Sequence, residues 1–325
     1  MEKPMRVFVV IPTLNEARGV GWVIANCHRT LKDLDHEIIV VDGYSTDGTA
    51  EIAESLGAKI LHERQKGYGA ALMTGFNDVL QNQEAGKNGK YEDAIILMDA
   101  DSTYDPADIP KLLAPLEDNG VDIVIGNRFA GMRRGAMTQL NRIGNRFFTI
   151  LLNRLYGLNV NDSQSGMRAI KAKSLRKMYL EASGMPLASE MLIEAKKRGL
   201  SVVEVPITYG KRIGRPKLQP LRDGWRIALT MMRLSTDFNP MLTFGGLALL
   251  FLIVAAGMGI DTLHGWYMWR YYGLSTWPRL GSAILSAMFF MTAVILFSFG
   301  LLLDAVLRVL RAIRQLMEEI PERQP

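Results

Sequence analysis

Ile95-Ile96-Leu97-Met98-Asp99-Ala100-Asp101 is the stretch on which the reading of this chain turns. Four apolar residues run straight into two carboxylates separated by one small residue. A continuous apolar run fits a strand buried on both faces, as in a parallel sheet covered by helices. Side chains alternate along a strand. Asp99 and Asp101 would then share one face, about 7 Å apart at ~3.3 Å per residue. Two like charges that close call for a positive partner, and a divalent cation with oxygen ligands is the natural one. The plainer reading is a strand end followed by an Asp-rich turn, with Asp105 and Asp108 as helix caps. The motif alone does not choose between them.

The flanking sequence builds the sheet outward. Arg6–Ile11, Glu37–Val41, Ala58–Leu61, Ala94–Met98 and Asp122–Ile125 read as strands. Ala17–Thr30, Thr49–Leu56, Gly69–Leu80 and Ala107–Leu116 read as helices between them. That alternation predicts an α/β fold with a mostly parallel, Rossmann-like sheet and helices on both faces. Further along, Asn141–Tyr156 and Ser189–Arg198 read as helices and Ser201–Ile207 as a strand. Ligands on such sheets bind beyond the carboxyl ends of the strands. Pro12–Glu16, Asp42–Asp47, Glu63–Tyr68 and Asp99–Asp101 all fall there.

The second half changes character. No charged residue occurs from Phe238 to Ile260 or from Leu280 to Leu303. Each run exceeds the roughly 20 residues that cross a bilayer core. These runs account for an apolar content of 48% and a mean hydropathy of +0.07. Lys211, Arg212, Arg215, Lys217, Arg222, Arg226 and Arg233 precede the first run, and Arg308, Arg311 and Arg314 follow the second. The connection Asp261–Arg279 holds only Arg270 and Arg279, with Trp266, Tyr267, Trp269, Tyr271, Tyr272 and Trp277 as an interfacial aromatic belt. The positive-inside rule then predicts a multi-pass protein of the cell membrane with both termini cytoplasmic. Leu221, Trp225, Ala228, Leu229 and Met232 form one amphipathic stripe. Val306, Leu307, Leu310, Ile313 and Met317 form another. Basic helices of this kind lie in the membrane interface or pack on the soluble domain.

The expected organisation is a catalytic domain over 1–217 and an interfacial helix over 218–237. A two-helix membrane domain over 238–303 follows, with spans near 238–260 and 280–303. A cytoplasmic amphipathic helix and tail over 304–325 completes the chain. The net charge of +5 clusters beside the spans, which favours anionic lipid over nucleic acid as its partner. Cys27, the single cysteine, excludes an intrachain disulfide and a thiolate zinc cluster. The N-terminal apolar run is too short for a signal peptide.

Taken in order, five segments resemble family 2 glycosyltransferases of the GT-A fold, and within them the polyprenyl- and dolichol-phosphate hexose synthases. They are Val10–Glu16, Val41–Thr49, Asp99–Asp101, Gly126-Asn127-Arg128-Phe129 and Asp162-Ser163-Gln164-Ser165-Gly166-Met167-Arg168. The resemblance covers roughly residues 5–220. It implies that Pro12, Glu16 and Asp42 hold the nucleotide, with Asp99 between nucleotide and metal and Asp101 as the principal ligand of Mg²⁺ or Mn²⁺. It further implies that Arg128 and Arg142 face the acceptor phosphate and donor diphosphate, and that Arg212 and Lys217 close over the phosphates.

Physical chemistry runs the same way. A nucleoside diphosphate leaving group gathers negative charge, which a divalent cation and arginines stabilise. Lys66, before a helix, can reach a phosphate, though Lys66-Gly67-Tyr68-Gly69 reads equally as a plain turn. A phosphate monoester has a second pKa near 6, so the acceptor needs no strong base. His28, His36, His62 and His264 show no pairing pattern and read as structural or exposed. Glu190, one turn before Glu194, either contacts the donor sugar or lies on a solvated helix face.

Gly43 and Thr103 depart from the mannose synthase pattern, where an Asp and a metal-binding Gln often stand. Both shift the expectation from GDP-mannose to a UDP-hexose, and the second leaves Thr103 as a short substitute for a third metal ligand. The expected reaction is inverting transfer of a hexose from a nucleotide sugar to a polyprenyl or dolichyl phosphate at the cytoplasmic membrane face. Self-association is compatible with so small a membrane domain. A processive polysaccharide synthase is disfavoured because Gln219-Pro220-Leu221-Arg222 is followed by Asp223 instead of Trp. A non-enzymatic nucleotide-sugar sensor is the remaining alternative. Neither apolar run holds an ionisable residue to make an ion path.

Overall fold

The computed structural model describes residues 5–86, 92–118, 120–181, 184–213, 220–238, 240–273 and 280–318. The chain divides into two compact units, Met1–Met231 and Met232–Pro325.

The first unit alternates strands and helices. In chain order these are β1 (Met5–Thr13), α1 (Ala17–Thr30), β2 (Asp35–Asp42), α2 (Thr49–Ser55), β3 (Lys59–His62), α3 (Tyr68–Gly86) and β4 (Glu92–Leu97). Then follow α4 (Ile109–Glu117), β5 (Ile123–Asn127), α5 (Gln139–Tyr156), β6 (Arg168–Lys171), α6 (Ala172–Leu175), α7 (Leu187–Lys197) and β7 (Val202–Pro206). The strands form one sheet in the order β3-β2-β1-β4-β6-β5-β7. All pairings are parallel except those of β6, which runs antiparallel to both β4 and β5. The sequence gives no signal for β6, because Arg168-Ala169-Ile170-Lys171 has two apolar residues between two cations. Pairing on both sides makes it a strand.

Helices cover both faces of the sheet, which is why its central strands lack alternation. On one face, Val7, Val9 and Ile11 of β1 and Ala94 and Ile96 of β4 join Val20, Val23, Ile24 and Cys27 of α1 and Leu112, Leu113 and Leu116 of α4 in one cluster. The apolar spacing of α1, at i, i+3, i+4 and i+7, gives it a single buried stripe. On the other face, α3 packs so closely that a Cβ at Gly75 would lie 2.5 Å from Val10 Cγ1 and 3.2 Å from Val41 Cγ2.

In the second unit, α9 (Pro240–Tyr272) and α10 (Leu280–Glu318) are antiparallel neighbours in sequence, of 33 and 39 residues. Thr243–Tyr272 and Leu280–Leu307 are long and apolar enough to cross a membrane. At 1.5 Å per residue α9 is about 50 Å long, well beyond a ~30 Å hydrocarbon core. Two expectations change. The aromatic segment read as an interhelical connection is helical through Tyr272, and the C-terminal amphipathic segment continues α10 without a break. Ser286 Oγ donates to Ala255 O at 2.7 Å, and Thr262 and Ser282 hydroxyls pair at 3.0 Å. Small polar residues of this kind join helices where water is absent. Before them, α8 (Pro220–Phe238) crosses the boundary between the two units.

Gly75→Ala is expected to destabilise the first unit by about 1–3 kcal/mol, the cost of an overpacked core, and so to lower its unfolding midpoint in detergent. Gly144→Ala, within α5 and with nothing within 4 Å of its added Cβ, is expected to hold or raise it. Thermal unfolding of both variants checks the pair.

Candidate active site

The carboxyl ends of β1, β2 and β4 lie side by side at one edge of the sheet. Loops from these ends build the site. At the first corner, Asp42 closes β2 and is buried. It accepts from Thr13 Oγ1 at 3.1 Å and from the Ser45 N–H at 2.8 Å. Asn15 and Tyr44 both take positive φ, 51° and 61°, so each loop turns sharply back. Cross-loop bonds then stitch them: Asn15 N–H to Ser45 Oγ at 2.8 Å, Thr46 N–H to Asn15 Oδ1 at 2.8 Å, and Glu16 N–H to Thr49 Oγ1 at 2.9 Å. Pro12 sits on β1 in register with Val41.

His62, at the end of β3, places Nδ1 3.8 Å from Asp42 Oδ2, and its ring lies 5.4 Å from that of exposed Tyr44. Arg64 Nε donates to the Tyr44 hydroxyl at 3.2 Å. His62 is thus exposed, as expected, yet set beside a site carboxylate that the sequence pattern did not point to. His28 and His36 also meet, Nδ1 to Nε2, at 2.9 Å. Neither contact is local in sequence, so periodicity carries no trace of them.

The Asp99–Asp101 pair lies past the end of β4, in a turn where Ser102 has φ 60°. Strand alternation does not set the two carboxylates, as the sequence reading assumed; hydrogen bonds do. Asp101 Oδ1 accepts from the Thr103 N–H at 3.0 Å and from Thr103 Oγ1 at 2.6 Å. The Thr103 hydroxyl thus aims at Asp101. Of the next two acids, the plainer reading as helix caps holds for Asp105 and not for the Asp108 carboxylate, which makes no cap bond. Asp105 caps the short 3-10 turn Pro106–Asp108, and Asp108 takes the Thr208 N–H and the Lys111 ammonium. Gly19 lets α1 touch this turn, since a Cβ there would fall 2.3 Å from the Ala100 carbonyl oxygen.

A strap after β7 closes over the turn. Gly210 N–H donates to Thr103 O at 2.8 Å and Ile213 N–H to Asp101 O at 3.0 Å. Arg212 then bridges two loops, with Nη2 2.7 Å from Glu16 Oε1 and Nη1 3.3 Å from Asp101 Oδ2. Asp99 Oδ1 and Arg212 Nε are buried with no hydrogen-bond partner among the described residues. Burial first, and the neighbouring Asp101 second, push the Asp99 carboxyl up to about 7.

Among the described residues, no three His, Cys, Asp or Glu side chains converge. Two carboxylates suit Mg²⁺ or Mn²⁺ nonetheless, because such ions fill their remaining positions with water and substrate phosphate oxygens. An orphaned carboxylate oxygen whose ionisation is disfavoured by burial is what such an ion relieves. The residues present fit it.

The other expected residues divide. Arg128 is buried and forked onto Asp162, Nε to Oδ2 and Nη2 to Oδ1, both at 2.7 Å, with its guanidinium 5.5 Å from the Tyr209 ring centre. Nη1 takes part in neither bond. Arg142 is exposed in the first turn of α5, with Nη2 3.3 Å from Met132 Sδ. Lys66 is exposed just before α3, and Lys217 lies outside the described residues. Glu190 and Glu194 are both buried, which overturns the solvated-face reading. Glu190 accepts the Glu181 N–H at 3.0 Å, and Glu194 pairs with Lys197 and Arg198.

Sequence reasoning quoted Arg168 without giving it a role. It is fully buried and donates to the carbonyls of Ser165, Ser163 and Ala188, at 2.9, 2.7 and 2.7 Å. Burial pulls its guanidinium down to about 10. It fixes the Ser163–Ser165 loop against α7. That loop ends in Gly166, where a Cβ would fall 3.1 Å from Asp99 Oδ2.

A sequence profile described as "Glycosyl transferase family 2" matches residues 8–179, which span the whole of this edge. The chain belongs to glycosyl transferase family 2. It is a glycosyltransferase, similar over its full length to "Glycosyltransferase AglJ" of Haloferax volcanii, with 34% identity across 98% of this chain and 100% of that protein. It is also similar to the "Dolichyl-phosphate hexose transferase" of the same organism, with 35% identity across 70% of this chain and 93% of that one. Among solved structures, glucosyl-3-phosphoglycerate synthase from Mycobacterium tuberculosis, in complex with Mn²⁺, uridine diphosphate and phosphoglyceric acid, shares the fold. Its TM-score is 0.55 at 22% identity, across 72% of this chain and 78% of that one.

Asp162→Asn is expected to destabilise the first unit by about 3–5 kcal/mol, because it leaves the Arg128 charge buried and half-paired. Denaturant unfolding in detergent measures the loss.

Proposed function

We propose that this glycosyltransferase moves a hexose from a UDP-sugar to the phosphate of a membrane-held polyprenol or dolichol. In this reading the transfer inverts the anomeric centre and takes place at the cytoplasmic face. One observation carries the reading. Among the described residues, Asp99 Oδ1 and Arg212 Nε are buried and unpaired at one site, in a chain whose later helices are long enough to cross a membrane. An anionic diphosphate with its cation answers the first half, and a lipid acceptor the second. A relative named for dolichyl-phosphate hexose transfer supports the acceptor class.

Roles follow from position. Pro12, Asp42 and Glu16 hold the nucleoside, with Tyr44 and His62 at its outer side. Asp101 is the principal metal ligand, Thr103 fixes its carboxylate, and Asp99 serves metal and nucleotide. Bound Mg²⁺ or Mn²⁺ would offset the charge that gathers on the leaving diphosphate. Arg212 leaves Glu16 for the diphosphate, joined by Lys217 and Lys66. Arg142, exposed, receives the acceptor phosphate, and Arg128 supports it through Nη1. Glu190, behind the Ser163–Gly166 loop, borders the sugar. The UDP assignment rests on Gly43 and Thr103, the two departures from the mannose synthase pattern.

The chemistry is a single displacement. A phosphate oxygen of the lipid attacks the anomeric carbon while the bond to the β-phosphate oxygen breaks and its electron pair leaves with the nucleoside diphosphate. The acceptor is mostly dianionic at neutral pH, so no proton has to be removed. The protein's work is to bring two anions together, which arginines do through paired N–H donors.

Purified protein given a panel of UDP- and GDP-sugars with a polyprenyl phosphate is expected to form one lipid-linked monosaccharide from a UDP-hexose. Its anomeric configuration should be opposite to the donor's by NMR. EDTA is expected to stop transfer, and Asp101→Ala to slow it by about 10²–10³-fold or more, with an unchanged unfolding midpoint. A polymer product overturns the acceptor reading. Use of GDP-mannose alone overturns the donor, and full activity of Asp101→Ala removes the metal ligand.

A further inference from the structure

On the reading that Arg128 supports the acceptor phosphate, we propose that Tyr209, on the strap after β7, is its positioning residue. The face of the Tyr209 ring holds the guanidinium so that Nη1 is presented to the phosphate. Arg128 is anchored at one edge. Nε and Nη2 fork onto the Asp162 carboxylate, both at 2.7 Å, and Nη1 takes part in neither bond. The Arg128 backbone N–H goes to the same carboxylate, at 3.0 Å, and so adds no separate point of support. Two parallel N–H bonds hold a guanidinium within its plane. They leave a hinge about the forked edge, and Nη1, at the far corner, swings most.

Tyr209 lies against that hinge. The Arg128 guanidinium carbon is over its ring, 5.5 Å from the ring centre. The face of an aromatic ring is negative and attracts a cation within about 6 Å, more strongly where water is scarce. Water is scarce here, since the Arg128 side chain is only 7% exposed.

A group that positions another must itself be fixed. The Tyr209 N–H donates to Gly131 O at 3.2 Å, and the Tyr209 carbonyl accepts the Arg133 N–H at 2.9 Å. Strap and loop touch so closely that a Cβ at Gly131 would fall 2.2 Å from the Ile207 carbonyl oxygen. Tyr209 also forms a backbone bridge with Tyr104, and the two ring centres are 5.3 Å apart, edge to face at 63°. Tyr104 is buried, and its hydroxyl accepts the Gly166 N–H at 2.7 Å. Gly166 and Asp162 belong to one short loop. The contacts therefore close a circuit, from Asp162 to Arg128, Tyr209, Tyr104, Gly166 and back to Asp162. The guanidinium cannot tilt toward the ring without moving Tyr209, and Tyr209 cannot move without breaking its bonds to the Gly131–Arg133 loop. Because Tyr104 follows closely on Asp101, the same circuit ties the arginine to the carboxylate turn.

A ring that only packs depends on its shape, whereas a ring that holds a cation depends on the charge of its face. Ring fluorines withdraw that charge with little change of shape. The full chain in detergent tests the difference, with farnesyl phosphate as the acceptor probe and no donor sugar. Tyr209→Phe is the reference, and phenylalanines with one, two and three ring fluorines at the same position form the series. Calorimetry measures binding, and the unfolding midpoint checks each protein. The dissociation constant is expected to rise with each fluorine, ~10-fold over the series, at a constant midpoint. A constant that stays level or falls across the series overturns the proposal. A midpoint that drops in step with binding makes Tyr209 a packing residue and overturns it too. Arg128→Lys separates this proposal from the acceptor reading. Weaker binding by Arg128→Lys beside a level fluorine series overturns the role of Tyr209 alone. Unchanged binding by Arg128→Lys, or none by the unaltered protein, overturns both.

Discussion

Asp99 and Asp101 repel each other, and the edge of the sheet is built to hold them together. The turn that carries them is pinned from every side. Thr103 fixes one carboxylate, Arg212 draws it toward Glu16, and Gly19 and Gly166 are small where any side chain would push the turn away. Burial and the neighbouring Asp101 push the Asp99 carboxyl up to about 7, and one of its oxygens has no hydrogen-bond partner among the described residues. That cost is local. The surrounding sheet is packed on both faces, and it holds the strained edge in place.

Two buried arginines set the limits of the site. Arg168 donates to three carbonyls, so it acts as a clamp between a loop and α7. Arg128 is paired with Asp162, which supplies a charge where water cannot. A buried ion pair of this kind contributes little net stability over an apolar pair, but losing one partner is costly. Arg212 differs from both. It is partly exposed, its two contacts go to separate loops, and one of its nitrogens has no partner among the described residues, so it is a cation able to change partners.

The second unit follows a different physics. Where water is absent, α9 and α10 gain nothing from the hydrophobic effect between themselves, so close contact at Gly300 against Phe244 and the Ser286 and Thr262 hydrogen bonds join them.

By itself the sequence determined the α/β alternation, the family segments, the carboxylate pair and the two membrane-length helices. Each of these is local: a buried strand is a run of apolar residues, and a span is a length without charge. Only the tertiary structure decided what depends on residues far apart in the chain. It made Arg168–Lys171 an antiparallel strand, because two neighbours supply its hydrogen bonds. It set Asp99 and Asp101 in a turn beyond the strand, where Thr103 and Arg212 orient them instead of the pleat. It buried Glu190, brought His62 to Asp42, and turned the apolar stripe of α5, Leu140, Ile143, Phe147 and Ile150, outward. The helical period of α5 is plain in the sequence, but a period says only that one face differs from the other. Which face meets the core is settled by what packs against it.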